Sequence, residues 1–194
     1  MGTAQLPPVP DFEAIEHKAQ ANVERQTAIL TLIGNLVLSW SNNESMFIYV
    51  LMVLLEVDEV TAAVVFTTLN TTRARIDLVQ RLAAIKLADR AAAQKLEKIV
   101  KRFNDLTRIR NEFNHSMYAL NEAGEITHMN LIKVQENKGR LKFGERIEMD
   151  QARIDKMLAA IRDLKKLNRE IWGFLPQLRE AVEAAKRPDA RGSA

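Results

Sequence analysis

The chain has 194 residues, of which 47% are hydrophobic and 6% aromatic, and it contains no cysteine. Its length favours one compact domain or two small ones, and the missing cysteines exclude disulfides, thiolate metal sites, iron–sulfur clusters and cysteine nucleophiles. The formal net charge of +3 permits contact with a polyanion without requiring it. Seven glycines and five prolines are few, and this scarcity of helix breakers favours long helices.

The start of the chain and its most apolar run give no sign of export or membrane insertion. Residues 1–10 lack the basic start and the apolar centre of a signal peptide, and the run from Met46 to Leu55 is too short to span a bilayer. We therefore expect a soluble, cytoplasmic protein with no membrane contact. A single helical domain is predicted over residues 11–187, between a disordered lead-in at 1–10 and a disordered tail at 188–194.

The first half of the chain is predicted to be helical. Asp11 is a suitable N-cap for a first helix, which should break at the polar segment SWSNNES (39–45) before a second helix carries the apolar run to Glu56. The segment after Glu56 is rich in β-branched residues and could form a strand. Because its neighbours are helical and no hairpin partner is evident, we predict a short helix capped by Asp58.

Two more helices are predicted before residue 120. The first covers TTRARIDLVQRLAAIKL (71–87), and the second, longer helix covers residues 91–118. The apolar residues of the longer helix recur at helical spacing and should form its buried stripe, which consists of Leu96, Ile99, Phe103, Leu106, Phe113 and Met117.

The character of the sequence changes after His115. Residues 117–147 contain β-prone runs separated by turn residues, and we interpret them as a β-hairpin or small meander inserted within the helical domain. The predicted fold class is therefore mainly α: a helical bundle with a small β-hairpin or meander inserted before the long C-terminal helix.

The last helix is predicted from about Asp150, and Pro176 should kink or end it near residue 175. Its apolar positions alternate spacings of three and four with Asn168 among them, which is the pattern of a heptad seam. The seam indicates either a helix packed on its own bundle or a subunit interface. Its members are Ile154, Met157, Ile161, Leu164, Asn168, Ile171, Leu175, Leu178 and Val182.

Polar residues crowd the end of the longer helix. Asn104, Arg108, Asn111 and His115 are spaced four, three and four, so on a helix they form one polar stripe. Arg110 falls on the apolar stripe instead, where an arginine is costly unless something satisfies it. It could be part of a buried ion pair, or it could face a cleft or a subunit boundary.

Arginine and histidine together suit phosphodiester chemistry. A neutral imidazole near pH 7 can accept the proton of a sugar hydroxyl. A guanidinium can hold a phosphate and stabilise the charge that builds on its oxygens. Ribonucleotides need no metal for this reaction because their own 2′-hydroxyl is the nucleophile, and three distant histidines make a zinc site improbable in any case.

The segment RNEFNH (Arg110 to His115) resembles the Arg-x4–6-His motif of the HEPN superfamily, in the form with a polar residue directly after the arginine. The chain looks like an uncharacterised bacterial branch of these proteins over roughly residues 30–120. The segments that carry the wider likeness are NLVLSWSNNESMF, TTRARIDLVQRL and FNDLTRIRNEFNHSMY.

The resemblance implies a helical bundle that forms a homodimer with both motifs lining a shared cleft. It also implies a metal-independent endoribonuclease without cofactors, of the kind found in toxin–antitoxin, phage-defence and RNA-processing systems, with RNA as substrate and an antitoxin or other protein as a further partner. Carried over, Arg110 and His115 would be catalytic, as phosphate ligand and general base. Asn111 and Arg108 would bind RNA or phosphate, and Arg108 also lies within the motif's spacing from His115.

Two other interpretations stay open. The same bundle could be a non-catalytic dimeric module that binds RNA, a nucleotide or a protein, as some members of the superfamily are. Alternatively, Arg110 could be structural, as the ion-pair partner of Glu44 or Glu56. Of the remaining candidates, Glu44 could reach the same cleft but is expected to be a helix cap. Arg73 and Arg75 could extend a phosphate track or form a solvated basic face, and His17 and His128 are expected to be surface residues.

Overall fold

The computed structural model describes Glu13 and residues 23–121, 125–137 and 140–186. Five helices and three strands have their bounds within these residues, and the fold class is the predicted one, a mainly helical bundle with a small antiparallel sheet before its last helix. The predicted lead-in, the tail and the Asp11 cap lie outside the described residues. In chain order the elements are α1 (Val23–Leu55), α2 (Glu59–Thr68), α3 (Thr72–Lys86), α4 (Arg90–Asn114), β1 (Ser116–Leu120), β2 (Ile126–Asn137), β3 (Arg140–Glu148) and α5 (Gln151–Ala185).

Helix α1 runs without interruption through residues 39–45, so the predicted break there is wrong. Asn43 is the one buried polar side chain among the described residues, and its amide donates to Ser39 O at 2.8 Å and to Leu164 O of α5 at 3.0 Å. Because these bonds satisfy its donor, the polar segment can stay in the helix. The inward positions alternate spacings of four and three; they are Leu36, Trp40, Asn43, Phe47, Val50 and Leu54.

Helices α2 and α3 both begin at capping side chains. Asp58 caps α2, and its carboxylate accepts a hydrogen bond from the Thr61 backbone N–H at 2.9 Å. The Thr71 hydroxyl caps α3 by accepting from the Ala74 backbone N–H at 3.1 Å. Each cap satisfies a backbone donor that the first helical turn leaves free. The short helix capped by Asp58 is therefore confirmed, despite its β-branched composition.

Helix α4 buries most of its predicted stripe but ends earlier than predicted. Leu96, Ile99, Phe103, Leu106 and Phe113 are buried. The helix ends at Asn114 because strand pairing begins at Ser116, which lies opposite Leu131 of β2. The prediction that Met117 belongs to the stripe is wrong: this residue lies in β1 and is 61% exposed.

The sheet is a meander in the order β1–β2–β3, with both pairs antiparallel. Met129 lies at its centre, opposite Tyr118 on one side and Ile147 on the other, and is fully buried. Met117 and Ile132 remain more than half exposed. The sheet therefore has a core side and an open side, as is common for antiparallel sheets.

Helix α5 begins at Gln151, close to the predicted start, and continues through Pro176 to Ala185. Of the two effects predicted for Pro176, an end near residue 175 is wrong, and a kink stays a prediction. A proline removes one backbone hydrogen bond from a helix. Phe174 and Leu178, on either side of Pro176, are fully buried, and we infer that this packing outweighs the lost bond.

Most of the predicted seam of α5 is buried within the chain itself. Asn168 and Leu175 are only partly buried, and the residues just before them, Leu167 and Phe174, are fully buried instead. This burial favours the interpretation of a helix packed on its own bundle, whereas the subunit interface stays a prediction. The buried seam residues are Met157, Ile161, Leu164, Ile171, Leu178 and Val182.

The described residues fall into two compact units. The sheet unit contains the described residues up to Gly34 together with Glu112–Met157, and the helical unit contains Asn35–Asn111 and the chain from Leu158 onward. The single domain over residues 11–187 stays a prediction. Within the described ranges, no helix combines the length and the apolar character needed to cross a membrane.

Replacing Asn43 by alanine should lower the free energy of unfolding by about 1–3 kcal/mol, because it removes two hydrogen bonds of a buried side chain. Thermal unfolding followed by circular dichroism measures the loss. Asn42 is exposed on the same helix, so Asn42→Ala is a matched control that should change the free energy by less than about 0.5 kcal/mol. Equal stability of both variants would contradict the anchoring role of Asn43.

Candidate functional site

Arg110, the arginine singled out in the RNEFNH motif, lies on an indole ring. Its Cζ atom is 3.4 Å from the centre of the Trp40 ring. From this short distance we infer that the guanidinium lies flat on the indole, because a tilted one would bring a nitrogen into the ring. Trp40 comes from the middle of α1 and Arg110 from the end of α4. Trp40 is therefore part of this contact because α1 continues as a helix through residues 39–45.

Two further residues of α4 fix the position of Trp40. The Phe103 ring stacks on it, with ring centres 5.8 Å apart and an angle of 17° between the planes. The indole Nε1 donates to the Thr107 hydroxyl at 2.8 Å, and that hydroxyl donates to Phe103 O at 2.8 Å. Phe103, Thr107 and Arg110 are spaced four and three along α4, so they share one face of the helix. We call Trp40 with these three residues the Trp40 cluster.

Arg110 is half-buried, and its charge has no direct partner in the described part of the chain. Its Nε atom is shut off from solvent without a hydrogen-bond acceptor. Burial lowers the pKa of Arg110 from its usual value, and the negative charge of Glu44 acts in the opposite direction. A buried donor without a partner costs about 1–3 kcal/mol. The contact with Trp40 offsets part of this cost, by about 0.5–2 kcal/mol.

Glu44 lies one turn beyond Trp40 on α1. Its carboxylate pairs with residues of α3 and not with Arg110. Its carboxylate lies 3.1 Å from the Arg75 guanidinium and accepts a hydrogen bond from the Thr72 hydroxyl at 2.5 Å. The side chains of Arg75 and Glu44 are 19% and 13% exposed, so this is a largely buried pair. The expectations of a helix cap at Glu44 and a solvated Arg75 are both wrong.

Arg75 has several further partners besides Glu44. Its Nε donates to Phe66 O at 3.1 Å and to Leu69 O at 2.9 Å, and its Cζ lies 4.3 Å from the centre of the Phe66 ring. These contacts tie the end of α2 to α3, while the ion pair with Glu44 ties α3 to α1. We infer that Arg75 has a structural role.

The interpretation of Arg110 as the ion-pair partner of Glu44 or Glu56 is wrong. Glu56 is paired with Lys86 and Lys186, and Glu44 is paired with Arg75. The Trp40 cluster and its neighbours thus hold two arginines and one carboxylate. One positive charge, on Arg110, is left over.

His115 follows α4 directly, in the turn that leads into β1, and its side chain is exposed. It therefore does not continue the polar stripe of the helix as the spacing predicted. Two side chains close the helix around this turn: the Ser116 hydroxyl donates to Glu112 O at 2.5 Å, and the Tyr118 hydroxyl donates to Phe113 O at 2.6 Å. Burial, with a smaller effect of the Glu112 charge, raises the pKa of Tyr118 to about 12.

The other predicted site residues lie on the exposed face of α4. The side chain of Arg108 is 83% exposed and lies 3.6 Å from Asp105, and Asn111 is exposed. Asn104 is half-buried. Arg110 differs from these residues because its side chain packs in the Trp40 cluster.

Two of the remaining candidates have neighbours of their own. Arg73 is 91% exposed and lies 3.9 Å from Asp77. His128 lies in β2 with its Nδ1 3.0 Å from the Thr127 hydroxyl, and His17 lies outside the described residues. Among the residues that the structure describes, no three histidine, aspartate or glutamate side chains are grouped as metal ligands.

Comparison of the chain with models of known protein families, with characterised proteins and with solved structures finds no match. Sequence reasoning missed Trp40 and Thr107 as parts of it. Trp40 and Glu44 are four residues apart, which places them one turn apart on a helix. The sequence could have indicated this only if α1 had been predicted as continuous.

Replacing Tyr118 by phenylalanine should destabilise the protein in a pH-dependent way. The folded pKa of about 12 lies above the unfolded value of about 10, so the neutral phenol stabilises the fold below pH ~10, and this contribution is lost as the pH rises toward 12. Urea unfolding should find Tyr118→Phe less stable than the parent at about pH 8, with a smaller difference at about pH 11. A difference that widens with pH would contradict this.

Proposed function

We propose that the protein is a metal-independent, HEPN-like endoribonuclease of the cytoplasm, with a role in toxin, defence or RNA-processing systems. Arg110 would bind the scissile phosphate, and His115, five residues further along the chain, would be the general base. Asn111 and Arg108 would contact the RNA from the exposed face of α4. The active protein would be a homodimer that uses no cofactor.

The unpaired charge of Arg110 is the observation that carries the proposal. Glu44 is the carboxylate whose charge reaches Arg110, and it is already paired with Arg75. A phosphate group would supply the missing negative charge. A guanidinium donates its hydrogen bonds within its own plane, so Arg110 can lie flat on Trp40 and still hold phosphate oxygens at its edge.

The proposed reaction is an attack of the 2′-hydroxyl on the adjacent phosphorus. His115 in its neutral form takes the hydroxyl proton, and the oxygen forms the new bond to phosphorus. The bond from phosphorus to the 5′-oxygen breaks, and that oxygen takes a proton from water or the protonated imidazole. Arg110 stabilises the charge on the phosphoryl oxygens. The products carry a 2′,3′-cyclic phosphate and a 5′-hydroxyl.

A second candidate is a non-catalytic module that binds RNA, a nucleotide or a protein partner as a homodimer. The placement of His115 favours it. In the described part of the chain no group holds the imidazole of His115, which is exposed in a turn, whereas general bases are usually oriented by a further hydrogen bond. In this case Arg110 would keep its role as a ligand for phosphate or another anion.

Cleavage of labelled single-stranded RNA and of tRNA in EDTA tests the first proposal. The parent should cleave and leave cyclic phosphate ends, and Arg110→Ala and His115→Ala should each lose about 100-fold or more in rate, as expected for a charge-stabilising group and a general base. Arg108→Ala should lose only a few-fold in rate, because its exposed side chain would add a solvent-screened contact to the RNA away from the scissile phosphate. Arg81, exposed on α3, provides a charge-matched control whose replacement should leave the rate unchanged.

The outcomes separate the candidates. Cleavage that requires magnesium, or that survives His115→Ala, would overturn the nuclease mechanism. RNA binding by the parent without cleavage, lost in Arg110→Ala, would favour the binding module. A rate lost in Arg108→Ala and kept in Arg110→Ala would assign the phosphate contact to Arg108.

A further inference from the structure

We propose that Arg110 also stacks on an unpaired nucleobase of single-stranded RNA, through the face of its guanidinium that is turned away from Trp40. This inference rests on the proposed RNA-binding function and names its substrate class. Such stacking requires a single strand, in which bases can unstack, and not a duplex, in which they are paired and stacked.

The position of Arg110 on Trp40 accounts for one face of its guanidinium. One face of the guanidinium lies on the indole, with Cζ 3.4 Å from the ring centre. The residue as a whole is partly exposed, although its Nε is closed off from solvent, and we infer that the exposed part includes the outer face of the guanidinium. A flat cation with one face covered by protein can accept a second flat group on its other face.

A nucleobase is the flat group that this cation suits best. Bases of single-stranded RNA stack on aromatic rings and on the guanidinium planes of arginines. The in-plane N–H groups of Arg110 remain free to bind a phosphate at the same time. One arginine can thus contact both the base and the backbone of a single nucleotide.

The Trp40 cluster fixes the guanidinium before the ligand arrives. Thr107 and Phe103 hold the indole through a hydrogen bond and a stacking contact, and the indole holds the arginine. A side chain that is already ordered loses less conformational freedom on binding. Bases within an A-form duplex are stacked on each other and their edges are hard to reach, so paired RNA should bind more weakly.

Oligonucleotides that lack bases test the proposal. The parent chain is titrated, by fluorescence anisotropy, with a labelled 2′-O-methyl oligonucleotide that cannot be cleaved and with its abasic counterpart of equal charge. Loss of the bases should weaken binding by at least about five-fold, the lower limit for one stacked base. In Arg110→Lys, which keeps the charge without the flat group, the two strands should bind equally.

A sole-tryptophan variant locates the contact. The chain has two tryptophans, and Trp172→Phe leaves Trp40 as the only indole. Its emission should change with the base-containing strand and stay unchanged with the abasic one. An equal concentration of the free mononucleotide should leave strand binding unchanged; complete displacement by it would mean a mononucleotide site and overturn the proposal.

Failure of this inference and failure of the nuclease proposal give different results. Equal affinity for both strands, a base preference that persists in Arg110→Lys, or no binding of either strand would overturn the stacking. Cleavage of RNA in EDTA together with equal affinities rejects the stacking alone. A base preference lost in Arg110→Lys, with no cleavage, supports the stacking and rejects the nuclease.

Discussion

The contact between the Arg110 guanidinium and the Trp40 ring is the interaction on which the site depends. It needs α1 to remain helical through residues 39–45, and it needs Thr107 and Phe103 to hold the indole in place. The contact places a permanent positive charge on a rigid, largely apolar support. Neither a flexible surface arginine nor a lysine would offer the same flat and oriented cation.

The distribution of charge around this contact explains why Arg110 stands apart from the other arginines. Arg75 is saturated by one carboxylate and two backbone carbonyls, and Arg73 and Arg108 are solvated. Arg110 is partly desolvated and lacks a carboxylate partner among the described residues. Groups that cost a fold stability are often retained for a function, and this is the physical basis for the proposal that Arg110 binds a phosphate.

Much of the fold follows from local sequence signals. The capping residue Asp58 predicted a helix in a segment whose β-branched composition favours a strand. The apolar spacing in α4 predicted the buried face of that helix as far as Phe113. These signals act within one element, through a cap or a helical period, so the sequence can reveal them. Met117 departs from the period because strand pairing takes over after the helix.

The errors concern residues whose environment is set by distant parts of the chain. Residues 39–45 have the composition of a break, but the amide N–H of Asn43 donates to a carbonyl of α5, 121 positions away. Pro176 is held within a helix by buried neighbours. For the site, the motif pointed to Arg110, yet its support by Trp40 and the competing pair of Glu44 with Arg75 are tertiary contacts. No spacing along a single helix could predict them.

The stability and RNA affinity of Arg110→Met, measured together, test the central claim most directly. Methionine fills a similar volume with an apolar side chain that needs no partner. If Arg110 is held in place for a ligand, the variant should melt at or above the temperature of the parent and lose its affinity for single-stranded RNA. A melting temperature lowered by several degrees with unchanged RNA affinity would contradict the claim and make Arg110 a structural residue.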